Sequence, residues 1–308
     1  MIPTTNRPPD FHAFWQDTLQ KLWAIDPMLE RQVLQSQTAP SGMVLERVRF
    51  RSWNGVTIRG YHMYHPDPST PRPLIVHSHG YNSQYTMKPE WVAGGADVLG
   101  IDIRGFGRSH QGVERSPLGW VLTHCHSPEQ SILRGAVCDQ IQAIRVGLSI
   151  PPTQGRRLVH WGYSFGGGLA MMAETLYSHA EALVVGVPTF GWPLGRQLLV
   201  RQGSGEEINR YLVQQPEAEE DLMMVLRYFD PINFAPDLKL PVLMGYGEED
   251  DVVPAETVLP IAANLTCRHE VERYPVSHTD RPEEIEWNKF RAKCLHFAVH
   301  GVPDTFGR

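Results

Sequence analysis

The sequence predicts an α/β fold, a mixed and mostly parallel sheet with helices on both faces, and three observations predict it. Short apolar runs bounded by Gly, Pro or Asp recur along the chain: Leu74 to Ser78, Ala96 to Ile101, Arg157 to Trp161, Ala182 to Val187, Pro241 to Tyr246 and Glu270 to Tyr274. Runs of that length suit parallel strands covered on both faces. Helical stretches alternate with them, at Ser131 to Val146 and, closing the chain, at Glu283 to Ala298. Finally, Trp161-Gly162-Tyr163-Ser164-Phe165-Gly166-Gly167-Gly168 sets a serine between glycines where a strand gives way to a helix, Gly167 to Leu176. That is the pattern of a strained strand-to-helix turn that lifts a serine hydroxyl above a sheet.

The remaining elements follow in order. Asp10 to Trp23 carries apolar residues at helical spacing behind Pro8-Pro9, with Asp10 as a candidate cap. Val44 to Phe50 and Val56 to Tyr64 flank Asn54-Gly55, a strong hairpin signal. Pro193 to Tyr228 is polar, helical and strand-free, an insertion placed to cover a site at the C-terminal strand ends. No Pro/Gly/Ser-rich linker or repeat divides the 308 residues, so a single domain over 1–308 is expected.

Hydrophobic residues at 42% and charged residues at 20% fit a soluble globular protein. A net charge of -6 without a Lys/Arg run argues against nucleic acid and anionic membrane partners. The N-terminus lacks the apolar core of a signal peptide and no stretch is long enough to span a bilayer, so a cytoplasmic location is expected. Cys125, Cys138, Cys267 and Cys294 lack C-x-x-C spacing and read as buried thiols. His77-Ser78-His79 and His124-Cys125-His126 lack further ligands at useful spacing, so no metal site is expected.

A serine hydroxyl is a weak nucleophile at neutral pH and needs a histidine to take its proton and a carboxylate to orient that histidine. Both follow Ser164 in the chain. The loop after Pro241 to Tyr246 offers Glu248, Glu249, Asp250 and Asp251. The register Gly-x-x-Asp-x-x-Val-Pro, common after this strand in hydrolases of this architecture, favours Asp250, with Asp251 its main rival. His278 lies on the loop after the last strand, whereas His269 precedes that strand and falls at the wrong end of the sheet. The Phe165 N–H and one from His79-Gly80-Tyr81-Asn82, with Tyr81 favoured, are candidate oxyanion donors. Phe106, Trp120 and Trp192, with Tyr81, are candidate pocket aromatics.

These residues resemble those of the cephalosporin-C deacetylases and acetyl xylan esterases, a family of the α/β-hydrolase superfamily. The resemblance spans most of the chain and takes in Asp10-Phe11 to Trp15, His79 to Asn82, Asp102 to Gly107, Gly119-Trp120 and the serine turn. Its most specific part is Leu226-Arg227-Tyr228-Phe229-Asp230-Pro231-Ile232-Asn233-Phe234-Ala235, leading into Pro241 to Met244. It implies an α/β-hydrolase fold and a cofactor-free esterase that removes acetyl groups from small acylated sugars or related acetate esters, often as a hexamer. It matches Ser164, Asp250 and His278 to the family's triad. Two positions depart: Phe106 stands where the family's Arg-Gly-Gln has glutamine, and Ser277 and Thr279 flank His278 in place of Gly and Glu. Turn and triad do not encode the leaving group, so cleavage of a lactone or a peptide at a small residue stays open. A non-catalytic binding protein on this fold would have no need of all three triad residues.

Overall fold

The computed structural model describes residues 2–34, 42–67, 72–151, 157–279 and 285–307. Helix α1, Phe11–Trp23, buries Phe11, Phe14, Trp15, Thr18 and Leu22 on one stripe, as the spacing predicts. Asp10 does not cap it: the carboxylate receives the Tyr228 hydroxyl instead, across 218 residues of sequence. Strand β1, Glu30–Val33, is exposed at every position, so no hydrophobic pattern announces it. It is a charged sheet edge, with Arg31 bonded to Glu46, and edges of that kind resist pairing with other chains.

The predicted hairpin forms from β2, Val44–Arg51, and β3, Thr57–Tyr64, paired antiparallel. Its turn uses left-handed backbone at Asn54 (φ 55°) and Gly55 (φ 73°), the conformation that favours this dipeptide. Then come β4, Leu74–Ser78; α2, Pro89–Ala93; β5, Asp97–Asp102; α3, Ile132–Ser149; β6, Leu158–Tyr163; α4, Phe165–Leu176; and β7, Ala182–Gly186. Ser131 caps α3 by accepting the Leu133 N–H at 3.3 Å. Between β7 and the next strand lie α5, Pro193–Leu199; α6, Gly203–Gln214; α7, Glu219–Leu226; and the single turn α8, Pro231–Phe234. Strand β8, Val242–Gly247, helix α9, Ala255–Ala263, strand β9, His269–Tyr274, and helix α10, Ile285–His300, follow. The start expected for α10, at Glu283, lies outside the described residues.

The nine strands of the described residues join one sheet in the order β1-β2-β3-β5-β4-β6-β7-β8-β9. From β5 to β9 every neighbouring pair is parallel. One apolar layer packs α1, α3, α6 and α7 on the sheet; the other packs α2, α9 and α10. The chain leaves β4 toward β5 on one side and returns to β6 on the other, so the order reverses beside β4. Open parallel sheets bind ligands at the C-terminal strand ends where such a reversal opens a crevice. No helix of the described residues is long and apolar enough to cross a membrane.

Candidate active site

Ser164 sits directly at that reversal, one residue past β6, with φ 50° and ψ -116°. Glycines make the turn possible by letting backbone approach backbone. A Cβ at Gly162 would lie 2.4 Å from the Gly166 carbonyl oxygen, and one at Gly166 would lie 2.7 Å from Ser78 Oγ. The strained serine is held through its main chain: its N–H donates to the Gly186 carbonyl at 2.8 Å, and its carbonyl accepts the N–H groups of Gly168 at 3.0 Å and Thr189 at 3.1 Å. A non-glycine residue in such backbone persists only where its surroundings over-determine it.

The loop after β8 and the loop after β9 leave the same C-terminal end of the parallel sheet and meet each other. Gly247 ends β8 so close to the His278 loop that a Cβ there would lie 2.0 Å from the Val276 carbonyl oxygen. The His278 ring donates from Nδ1 to Asp250 Oδ2 at 2.5 Å, and the His278 main-chain N–H reaches the same oxygen at 3.1 Å. Asp250 Oδ1 accepts the N–H groups of Val252 at 3.1 Å and Val253 at 2.8 Å. Burial alone would raise the Asp250 pKa. The hydrogen bond and charge of His278, with the N–H groups of Val253 and His278, outweigh it and hold the carboxyl below its usual range. With Nδ1–H committed to the carboxylate, Nε2 carries the lone pair.

The neighbouring acids do not share this environment. Glu248 and Glu249 are exposed, Glu248 beside Arg273, and exposed Asp251 accepts the Gln202 amide at 2.9 Å. Ser164 Oγ and His278 Nε2 make no hydrogen bond with protein groups among the described residues. Catalytic hydrogen bonds are often long in unliganded sites and tighten when substrate arrives.

The loop after β4 faces the start of α4. Neither the Tyr81 N–H nor the Phe165 N–H donates to a protein group among the described residues. His79 donates to the Gly80 carbonyl at 2.7 Å and accepts the Ile103 N–H at 3.0 Å. His77 donates to the Trp161 carbonyl at 2.7 Å, and burial pushes its pKa down to about 3. Both histidines are committed to the fold, and no group of three or more His, Cys, Asp or Glu among the described residues could hold a metal ion. Cys125, Cys138 and Cys294 are buried free thiols, while Cys267 is half-buried.

The aromatics divide. The Tyr81, Phe106, Trp120 and Phe165 rings form one cluster, with Tyr81 5.4 Å from Phe165 and Trp120 5.1 Å from both Phe106 and Phe165. Trp120 has no exposed surface, and its indole N–H donates to the Arg104 carbonyl at 2.9 Å. It therefore backs the site as packing and presents no face to a ligand; Phe106 is nearly as buried. Trp192 begins α5 in left-handed backbone and borders a cavity of about 900 Å³ between residues 3–6 and α7. That cavity is lined by none of Ser164, Asp250 and His278.

Sequence patterns miss a buried polar chain beneath the turn. Glu174 bonds His160 at 3.0 Å, His160 bonds Gln140 at 3.1 Å, and the Gln140 amide donates to Ser78 Oγ at 2.6 Å. They also miss Arg104, which meets Asp139 through two guanidinium nitrogens at 2.9 and 2.7 Å in the core. Neither set has a local signal, because the partners lie on different elements.

Solved structures share this arrangement of strands. An acetyl xylan esterase from Paenibacillus sp. R4 superimposes with TM-score 0.83 at 24% identity, covering 94% of this chain and 96% of that one. Acetyl xylan esterase 1 from Thermoanaerobacterium sp. JW/SL YS485 superimposes with TM-score 0.84 at 22% identity, over 96% of each chain. The acylaminoacyl peptidase of Pyrococcus horikoshii matches at 0.65 and 16% identity, over 88% of this chain but 44% of that one. The sheet and its covering helices are those of an α/β-hydrolase. The chain belongs to the acetyl xylan esterase (AXE1) family, whose model matches residues 2–300. Members of that family are carboxylic ester hydrolases, which makes this chain a carboxylesterase that deacetylates acetylated substrates.

Proposed function

We propose that Ser164, His278 and Asp250 carry out this deacetylation, on small acylated sugars or related short acetate esters. The observation that supports the reading best is the Asp250–His278 pair, its carboxylate buried, on loops leaving the same C-terminal strand ends as the strained Ser164. His278 Nε2 takes the Ser164 hydroxyl proton as Oγ forms a bond to the ester carbonyl carbon. The carbonyl π electrons move to oxygen, and the N–H groups of Tyr81 and Phe165 bind the resulting oxyanion. Collapse re-forms the carbonyl and breaks the C–O bond to the alcohol, which leaves with the proton from His278. Water then attacks the acyl-Ser164, giving its proton to His278, and the second collapse returns that proton to Ser164 and releases acetate. Asp250 keeps the ring oriented and balances the imidazolium in both halves.

The crowded cluster of Tyr81, Phe106 and Phe165 supports a preference for short acyl groups. The test measures kcat/KM for acetate, butyrate and octanoate esters of one alcohol, then for a panel of acetylated sugars, alongside fluorophosphonate labelling with peptide mapping. Labelling at Ser164 that disappears in Ser164→Ala, with kcat lower by about three orders of magnitude or more in that variant, is the expected outcome. Activity that survives in a folded Ser164→Ala protein refutes the nucleophile assignment, and rates that climb with chain length refute the acetyl preference. The same reading places the enzyme in the cytoplasm as a homo-oligomer, a hexamer by family resemblance. Exposed Leu198, Val213 and Met224 on the insertion helices supply apolar surface for such contacts, and light scattering on the eluting protein measures the assembly.

A further inference from the structure

The insertion reaches the loops after β4, β7 and β8, each through a side-chain hydrogen bond. Arg196 donates to Thr189 Oγ1 at 2.7 Å, and the Thr189 N–H holds the Ser164 carbonyl at 3.1 Å. Gln202 donates to Asp251, one residue past Asp250. Glu207, on α6, accepts the Tyr81 hydroxyl at 2.5 Å. Of the three ties, this last one reaches the residue whose N–H is the proposed oxyanion donor.

The phenol is fixed from two sides, since the Val121 N–H donates to its oxygen at 3.0 Å. Burial, then the charge and hydrogen bond of Glu207, raises the Tyr81 pKa far above its usual value, so the hydroxyl keeps its proton and donates. The carboxylate itself fits only because Gly119 has no side chain: with φ 148°, a Cβ there would lie 2.2 Å from Glu207 Oε2. The Tyr81 ring meets Phe106, Trp120 and Phe165 edge-on.

Around the main chain of this loop there is open space. Nothing lies within 4 Å of where a Gly80 Cβ would be, and Asn82 turns with φ 52°. One main-chain hold exists: His79 Nδ1 donates at 2.7 Å to the Gly80 carbonyl, which shares a peptide plane with the Tyr81 N–H. The anchored side chain holds the same residue from its other end.

We propose that Glu207 is a positioning residue for the oxyanion hole, anchoring the Tyr81 phenol to the insertion so that the Tyr81 N–H stays aimed at the tetrahedral oxygen. The inference rests on Ser164 as nucleophile and the Tyr81 N–H as donor. Glu207 touches no reacting atom; it acts through Tyr81, and it also accepts the Val121 N–H at 3.4 Å. It makes the insertion part of the transition-state apparatus as well as its cover.

The test compares Tyr81→Phe, Glu207→Ala, Glu207→Gln and the double variant Tyr81→Phe/Glu207→Ala on p-nitrophenyl acetate, with phenylboronic acid as a tetrahedral probe. Each single removal of the tie should lower kcat about tenfold to a hundredfold, the effect of a small misplacement near a reacting centre, with KM within about twofold. Inhibition by the boronic acid should weaken by the same factor as kcat. The double variant should be no worse than either single change, as expected for residues acting as one unit. Glu207→Gln should recover most of the loss, because its amide oxygen still accepts the phenol proton.

Additive losses, or unchanged kcat and boronic acid affinity in Tyr81→Phe, overturn the proposal. Tyr81→Phe keeps the ring and its packing, so it decides the matter even if Glu207→Ala does not fold. Wild-type protein that neither hydrolyses the ester nor takes the fluorophosphonate at Ser164 is a failure of the underlying reading, and the inference falls with it.

Discussion

Asp250 and Asp230 are buried to nearly the same degree, 4% and 6% exposed. Each also accepts two N–H groups at one oxygen, Asp250 from Val252 and Val253, Asp230 from Ile232 and Trp192. Their pKa values move in opposite directions. Burial would raise both, and at Asp230 it does, to about 7, against the N–H groups of Ile232 and Trp192 and the charge of Arg196. At Asp250 the added bonds from His278 reverse the sign. Arg196 stands near Asp230 but spends its hydrogen bonds on Thr189 and Ser204, so it supplies charge without contact. Two turn N–H groups do not keep a buried carboxylate ionised here; a direct bond to a second ionisable group does. That is the difference between a carboxylate equipped to support an imidazolium and one that holds a short helix turn.

The largest expected effect tests whether that difference matters for chemistry. Asp250→Asn keeps size and burial but removes the charge, and the amide can no longer accept from Nδ1 while balancing an imidazolium. Its kcat should fall by roughly 10⁴, as for the corresponding change in serine proteases. Asp251→Asn, measured beside it with thermal melts on both, should shift stability by less than about 1 kcal/mol and leave kcat near wild type. A dead Asp251→Asn next to a live Asp250→Asn would overturn the acid assignment.

A smaller effect sharpens the comparison by converting one carboxylate into the other. His278→Ala leaves Asp250 with main-chain N–H groups alone, those of Val252, Val253 and residue 278 itself, which approaches the condition of Asp230, and its pKa should rise. In wild type the depressed pKa contributes stability that is full above the unfolded value of about 3.9 and is lost as pH falls through the folded value. The variant should therefore be less stable by about 2–4 kcal/mol at pH 7, with the gap closing below about pH 4. Urea unfolding of both proteins from pH 3 to 7 measures it. A gap that stays constant with pH would mean that His278 contributes packing and no charge interaction.

Much of this was open to inspection in the sequence because it depends on local pattern. Five of the six parallel strands are buried and mostly apolar, while β9 alternates charged residues and is largely half-buried or exposed; the observed ends lie within two residues of the expected ones, as at Arg157 to Trp161 against Leu158–Tyr163. Strand β1 escapes because Glu-Arg-Gln-Val has no apolar face to detect. Helix α9 escapes because Pro260 stands in its interior, where the missing N–H removes one rung of the helix ladder. At the site, chain order alone directs attention to Ser164 and His278, and the choice among four consecutive acids needs the turn that buries one and exposes the others. Left-handed backbone at Val187, Phe190 and Trp192 is illegible, since bulky residues adopt it only under tertiary constraint. The Glu207–Tyr81 tie spans 126 residues, and no spacing rule reaches that far.

The smallest expected effect belongs to Asp230 and concerns stability only. Its folded pKa of about 7 lies above an unfolded value near 3.9, so between those two the native state holds a proton that the unfolded chain has released. Stability then falls as pH rises, by about 1.4 kcal/mol per unit where the states differ by a full proton, and the fall ends once pH passes the folded value. Asp230→Asn stays neutral throughout and still offers an oxygen to the Ile232 and Trp192 N–H groups. Relative to wild type, the variant should gain about 2.6 kcal/mol between pH 5 and pH 8, whatever its absolute stability. The reading is the difference between the two proteins' urea unfolding free energies at each pH, which cancels every other titrating group they share. Parallel curves would show Asp230 already ionised at pH 5, in which case its two turn N–H groups and the nearby Arg196 suffice without a histidine, and the contrast with Asp250 would rest on geometry alone.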